Sequence, residues 1–79
     1  MDNLEKYNRV FKECFSIGEA ALGAALVYQS IASWDSVGHM QMVACLEESF
    51  GIVMDTEDII DFSSYEKGKI ILQKYGVQM

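Results

Sequence analysis

Trp34-Asp35-Ser36-Val37-Gly38-His39-Met40-Gln41-Met42-Val43-Ala44-Cys45-Leu46-Glu47-Glu48-Ser49-Phe50-Gly51 reads as one helix with a start, a stop and two apolar sides. Asp35 and Ser36 are both good N-cap residues, because a short oxygen-bearing side chain can accept from the unpaired amides of a first turn. Gly51 supplies the stop, so the expected helix runs from 36 to 50. His39, Met42, Val43, Leu46 and Phe50 form one stripe at helical spacing, and Val37, Met40 and Ala44 form another. One stripe packs inward; the other must meet something else, which marks a contact surface.

The flanking segments supply partners for the inner stripe. Leu4, Tyr7, Phe11 and Cys14 recur at intervals of three and four, with Phe15 beside them, and predict a first helix over residues 3–15. Asp2 or Asn3 can cap it, and Ser16 to Gly18 can end it. Residues 17–34 lose this periodicity. A turn or two of helix around Gly23 is expected there, then a long connection whose Leu22, Leu26, Val27 and Ile31 keep it on the core. Downstream, Asp55 with Asp58 resembles a capping box for a short helix, 56–61, carrying Ile59 and Ile60. Ser63 with Glu66 resembles another, opening a helix over about 64–75 that buries Tyr65, Gly68, Ile71, Leu72 and Tyr75 before Gly76 ends it. The expected fold is all-α: a small four-helix bundle of three main helices and one short one, with a long first loop, in a single domain spanning 1–79.

Composition bounds what such a bundle does. Of 79 residues 51% are hydrophobic, enough for a core, and there is no proline. No apolar run approaches the roughly 20 residues of a membrane helix, and the start Met1-Asp2-Asn3-Leu4-Glu5 is neither a secretory nor a transit signal, so a cytoplasmic protein is expected. Six basic residues face twelve acidic ones, net −6, and they are unevenly placed. Residues 30–66 hold eight carboxylates and no Lys or Arg, whereas residues 67–79 hold three lysines and no acid. The acidic stretch repels nucleic acid and anionic membrane; it would attract a protein with a basic patch, and charge alone equally fits a solvated face that keeps the domain soluble. Cys14 and Cys45 stand apart without a CxxC spacing, fall at helical core positions and read as buried free thiols. A zinc site needs four ligands and is not expected with one histidine, and the run Asp55–Asp61 lacks the spacing and terminal Glu of a calcium loop.

Asp35-Ser36-Val37 at a helix start, an apolar and acidic helix behind it and the ending Leu46-Glu47-Glu48-Ser49-Phe50 together resemble the acyl carrier protein family. The likeness extends to the acidic short helix and to Ser63-Ser64-Tyr65, and covers essentially the whole chain. It implies that Ser36 receives 4′-phosphopantetheine from coenzyme A through a separate magnesium-dependent transferase, with Asp35 supporting the motif. The terminal thiol of the arm would hold acyl intermediates as thioesters, sheltered against the bundle's interior. Val37, Met40, Gln41, Ala44, Glu47 and Glu48 fall where carriers of this family meet partner enzymes, so acyl-processing enzymes with basic docking patches are the implied partners. Val37 in place of a usual Leu, Trp34 in place of a small residue, Gln41 in place of an acid and the missing proline near Asp55 are departures. They bring a dedicated carrier of polyketide, modified-lipid or surface-polysaccharide assembly level with a carrier of fatty-acid synthesis.

On this reading the chain is a free-standing, monomeric carrier and not an enzyme. Ser36 and His39 share a helix side, yet no strand–turn–helix elbow or oxyanion hole accompanies them. His39 is expected on the inner stripe with a hydrogen bond, and Trp34 packed on the loop. The alternative is an acidic helical adaptor that binds a basic partner without a cofactor.

Overall fold

Asp2 starts the first helix, α1 (Asn3–Phe15), by accepting from the Glu5 amide at 2.8 Å, and Ser16 in the left-handed region ends it. The structure, a computed structural model, describes residues 2–79. Three more α-helices follow: α2 (Ser36–Phe50), α3 (Thr56–Asp61) and α4 (Tyr65–Gln73). A single 3-10 turn, Glu19–Ala21, interrupts the connection after α1, in place of the longer helical stretch expected around Gly23. Among the described residues there is no strand, only an isolated bridge between Val27 and Ser64. No helix among them is long and apolar enough to cross a membrane.

Aromatic rings fill the core. Phe11 stands at its centre, edge-on to Trp34 at 5.5 Å and to Tyr65 at 5.4 Å and stacked on Phe62 at 6.2 Å. Such pairs contribute about 0.5–1.5 kcal/mol each beyond the area they bury. From α2, Met42, Val43 and Leu46 pack into this layer, and Ile71 and Leu72 come from α4. Gly68 lets α4 approach: a Cβ there would sit 2.1 Å from Phe62 Cζ and 2.2 Å from the Tyr7 hydroxyl oxygen. That hydroxyl donates to the Tyr65 carbonyl at 2.6 Å, and burial pushes its pKa up.

Several positions differ from the reading of the sequence. Leu4 lies in the first turn of α1, where the bundle leaves the stripe uncovered, and Val10 is buried instead. Cys14 is half-buried and Cys45 exposed, because Cys45 sits at the edge of α2 and outside its inner stripe. Phe50 is half-buried, with the Lys6 ammonium 4.9 Å from its ring centre. In the connection Leu26 is buried while Val27 is exposed, since Val27 joins the bridge to Ser64.

Both capping boxes are replaced. The Tyr28 amide donates to Ser63 O and the Tyr65 amide to Leu26 O, pinning the chain so that α4 starts one residue later than expected. Ser64 is then the cap, accepting from the Lys67 amide at 2.9 Å. Asp55 precedes α3 without a side-chain cap bond. Asp58 is instead buried and accepts from Lys74 Nζ at 2.6 Å and from the Tyr75 hydroxyl at 2.5 Å. Helix α4 stops at Gln73, and the turn beyond it carries Tyr75 back to α3, where its hydroxyl also accepts from the Asp55 amide at 2.9 Å.

The hydrogen bonds from Lys74 and Tyr75 hold the Asp58 carboxyl below its ordinary pKa despite its burial. A carboxyl lowered in the folded state stabilises the fold above the usual aspartate range, near pH 4, and that contribution is lost as pH falls through the range towards the lowered value. Asp58→Asn is therefore expected to flatten the fall of Tm with pH below about pH 4. An unchanged slope would show that other carboxylates set the acid limit.

Candidate functional site

The start of α2 is built by capping and by a close approach of backbone. Asp35 is the N-cap, with its Oδ1 accepting from the Gly38 amide at 2.8 Å and its carbonyl from the His39 amide at 2.7 Å. Ser36, one of two candidate caps in the sequence, is thereby the first helical residue. Its hydroxyl has no capping duty and is exposed. Gly38 is buried against the preceding turn; a Cβ there would lie 1.9 Å from Ser33 O. Contact with the chain just before the helix therefore holds the Asp35–Ser36 corner.

Tyr28 shares a hydrogen bond of 3.2 Å with the Ser36 hydroxyl. The tyrosine is held from behind by its amide bond to Ser63 O and by edge-on contact with the His39 ring at 5.6 Å. Sequence reading missed it: an aromatic in an aperiodic segment carries no pattern that places it against a helix start eight residues on.

Beside Ser36 a groove of about 310 Å³ opens between α2 and α3. Met40, Ile59, Ile60 and Phe62 form its apolar walls, and Tyr28, Ser36 and Ser63 bring hydroxyls to it. Ile60, expected to be carried by the short helix as an apolar residue, is 73% exposed at the rim. Behind the groove, Trp34 Nε1–H donates to His39 Nδ1 at 2.9 Å. With Nδ1 an acceptor, the proton resides on Nε2, which donates to the Ile59 carbonyl at 2.8 Å. Both ring nitrogens of His39 are thus engaged in structure, and Trp34 is fully buried.

The second face of α2 points outward. Val37 is 65% and Met40 54% exposed, and Gln41, Ala44 and Glu48 are exposed with them. Glu47 departs from this group. It is half-buried and its Oε2 accepts from the Met54 amide at 2.9 Å, tying down the loop after α2. Glu48 is the carboxylate on this side left facing solvent. Among the described residues no cluster of three or more His, Cys, Asp or Glu is placed to hold a metal ion.

The arrangement offers one solvent-facing hydroxyl at the positive end of a helix of 15 residues, with a second hydroxyl on it and an apolar trough alongside. Such an end favours an attached anion, because the first-turn amides lack carbonyl partners within the helix and the helix dipole adds to their field. Comparison with protein-family profiles, with curated proteins and with solved structures finds no match for this chain.

Proposed function

We propose that the chain is a phosphopantetheine-dependent acyl carrier, with Ser36 as the attachment residue. The observation that carries this reading is the exposed Ser36 hydroxyl at the first position of α2, opening directly onto the apolar groove. Ser36 Oγ would take the phosphopantetheinyl group from coenzyme A, forming a phosphodiester as the diphosphate bond breaks and the nucleotide leaves. The transferase supplies the base and the magnesium, so this chain need only present the hydroxyl. Asp35 orients it by fixing the helix start. Tyr28, already bonded to Oγ, is placed to donate to an oxygen of the resulting diester. Once attached, the arm brings a thiol that holds acyl groups as thioesters; the protein's part is to hold and present them.

A carrier must also dock on successive enzymes and leave. Val37, Met40, Gln41 and Ala44 form an apolar to neutral centre with Glu48 at its edge, suited to a groove lined by Arg and Lys. Tethering keeps the intermediate at high local concentration at each docked site. The adaptor reading uses this outer face as well but leaves the groove beside Ser36 without a role, and the groove favours the carrier. A cytoplasmic monomer serving fatty-acid, polyketide or another specialised acyl pathway fits this reading.

The test is intact mass after incubation with coenzyme A, magnesium and a promiscuous phosphopantetheinyl transferase. The protein is expected to gain one phosphopantetheinyl group, and Ser36→Ala none. No gain under conditions that load a control carrier would reject the carrier and leave the adaptor.

A further inference from the structure

Cys14 and Cys45 stand far apart in the sequence, without a shared motif, and the structure brings them together. Cys14 lies in the last turn of α1 and Cys45 in the second half of α2, two helices that pack directly against each other. Both line a recess of about 350 Å³, with Val10 and Glu13 of α1 and Glu48 and Ser49 of α2. The recess shares no residue with the groove beside Ser36. The Cys14 sulfur reaches across to α2, where it lies 4.0 Å from the Gly38 carbonyl oxygen. Burial pushes the Cys14 pKa up, and the Cys45 thiol, its charge and its hydrogen bond acting on Cys14, adds to the rise. Cys14 is half-buried and Cys45 exposed, so an oxidant reaches the second before the first.

We infer that Cys14 and Cys45 form a dithiol redox pair, which a small-molecule disulfide oxidant closes into a reversible bridge fastening α1 to α2. The inference is independent of the carrier reading and stands or falls without it. With glutathione disulfide as oxidant, the Cys45 thiolate attacks one of its sulfurs, and the other leaves as a glutathione thiolate. Cys14 then gives up its proton and attacks Cys45 in the mixed disulfide, releasing the second glutathione. Two protein thiols are oxidised and one glutathione disulfide is reduced to two glutathiones. The shielded Cys14 resolves the exposed Cys45, and not the reverse. The bridge closes a loop of roughly 30 residues, which restricts the unfolded chain and so favours the folded one. Where thiols are ordinarily kept reduced, such a bridge forms in response to oxidation and is lost when reductant returns.

The experiment treats the reduced, unloaded protein with glutathione disulfide and records intact mass, thiols open to alkylation after unfolding, and melting temperature. The product is expected to be a monomer lighter by two hydrogens, with no free thiol and with the Cys14 and Cys45 peptides linked in a digest. It is expected to melt about 10 °C higher, and dithiothreitol should reverse every change. Cys14→Ser should stop at one glutathione held on Cys45, and Cys45→Ser should keep Cys14 as an unmodified thiol. Cys45 is exposed, so that variant is expected to fold; if Cys14→Ser does not, the unmutated protein and Cys45→Ser decide the matter. Two free thiols after treatment, a glutathione left on Cys45 of the unmutated protein, or a dimer linked through Cys45 overturns the inference. A bridge that lowers the melting temperature overturns it as well, because the helices would then have been pulled out of place to form it.

Discussion

Trp34→Ala is expected to cost about 3–5 kcal/mol of folding free energy, the range for emptying a large aromatic site in a core. The residue is fully buried, stacks on Phe15, meets Phe11 edge-on at 5.5 Å and donates its indole N–H to His39. Removing it opens a cavity among rings that other contacts hold in place, and leaves a histidine nitrogen without its donor. Domains of this size hold on the order of 0.05–0.15 kcal/mol per residue, so the loss is a large part of the whole. Trp34→Phe restores ring volume without the donor and should recover most of the stability. Urea unfolding followed by circular dichroism measures both. A cost below about 1 kcal/mol for the alanine variant would mean that the ring is not the keystone of this core.

Gly38→Ala should act against its own helix propensity. In an exposed helix interior the change stabilises by about 1 kcal/mol. Here the added Cβ would lie 1.9 Å from the Ser33 carbonyl oxygen and 3.1 Å from its carbonyl carbon. Both are backbone atoms, and Ser33 is itself tied by its hydroxyl to the Phe15 carbonyl at 3.1 Å, so neither can give cheaply. Net destabilisation of about 1–3 kcal/mol is expected from this overpacking. The first turn of α2 must move away from residues 33–35, displacing Asp35 and the Ser36 hydroxyl. A slower rate of phosphopantetheinyl loading should therefore accompany the lower melting temperature. A higher melting temperature with unchanged loading would show that α2 does not rest on that turn.

Much of the helical framework was legible because its causes are local. Tyr7 and Phe11 of the first stripe with Phe15 beside them, Met42, Val43 and Leu46 of the second, and the stops at Ser16 and Gly51 all follow from spacing and backbone preference within one segment. Errors gathered where a distant segment competes for the same groups. Ser63 looked like a cap, but its carbonyl is taken by the Tyr28 amide and the cap passes to Ser64. Asp58 looked like half of a capping box, but Lys74 and Tyr75 draw it across to α4. Glu47 looked like part of an exposed acidic rim, but the Met54 amide claims its carboxylate. A local motif offers one hydrogen bond, and a buried partner from elsewhere in the chain can outbid it.

The candidate site divides in the same way. By itself the sequence determined four helices, an acidic middle and a serine at the start of α2, since capping and amphipathic periodicity are written into consecutive residues. Only the tertiary structure decided that Tyr28 meets Ser36, that Ile59 and Phe62 wall a groove beside it, and that His39 bonds the Ile59 carbonyl across to α3. Those contacts join residues from the first connection, α2 and the α3–α4 corner. Their geometry is set by how the aromatic core packs, a collective property of close packing that no single stretch of the chain encodes.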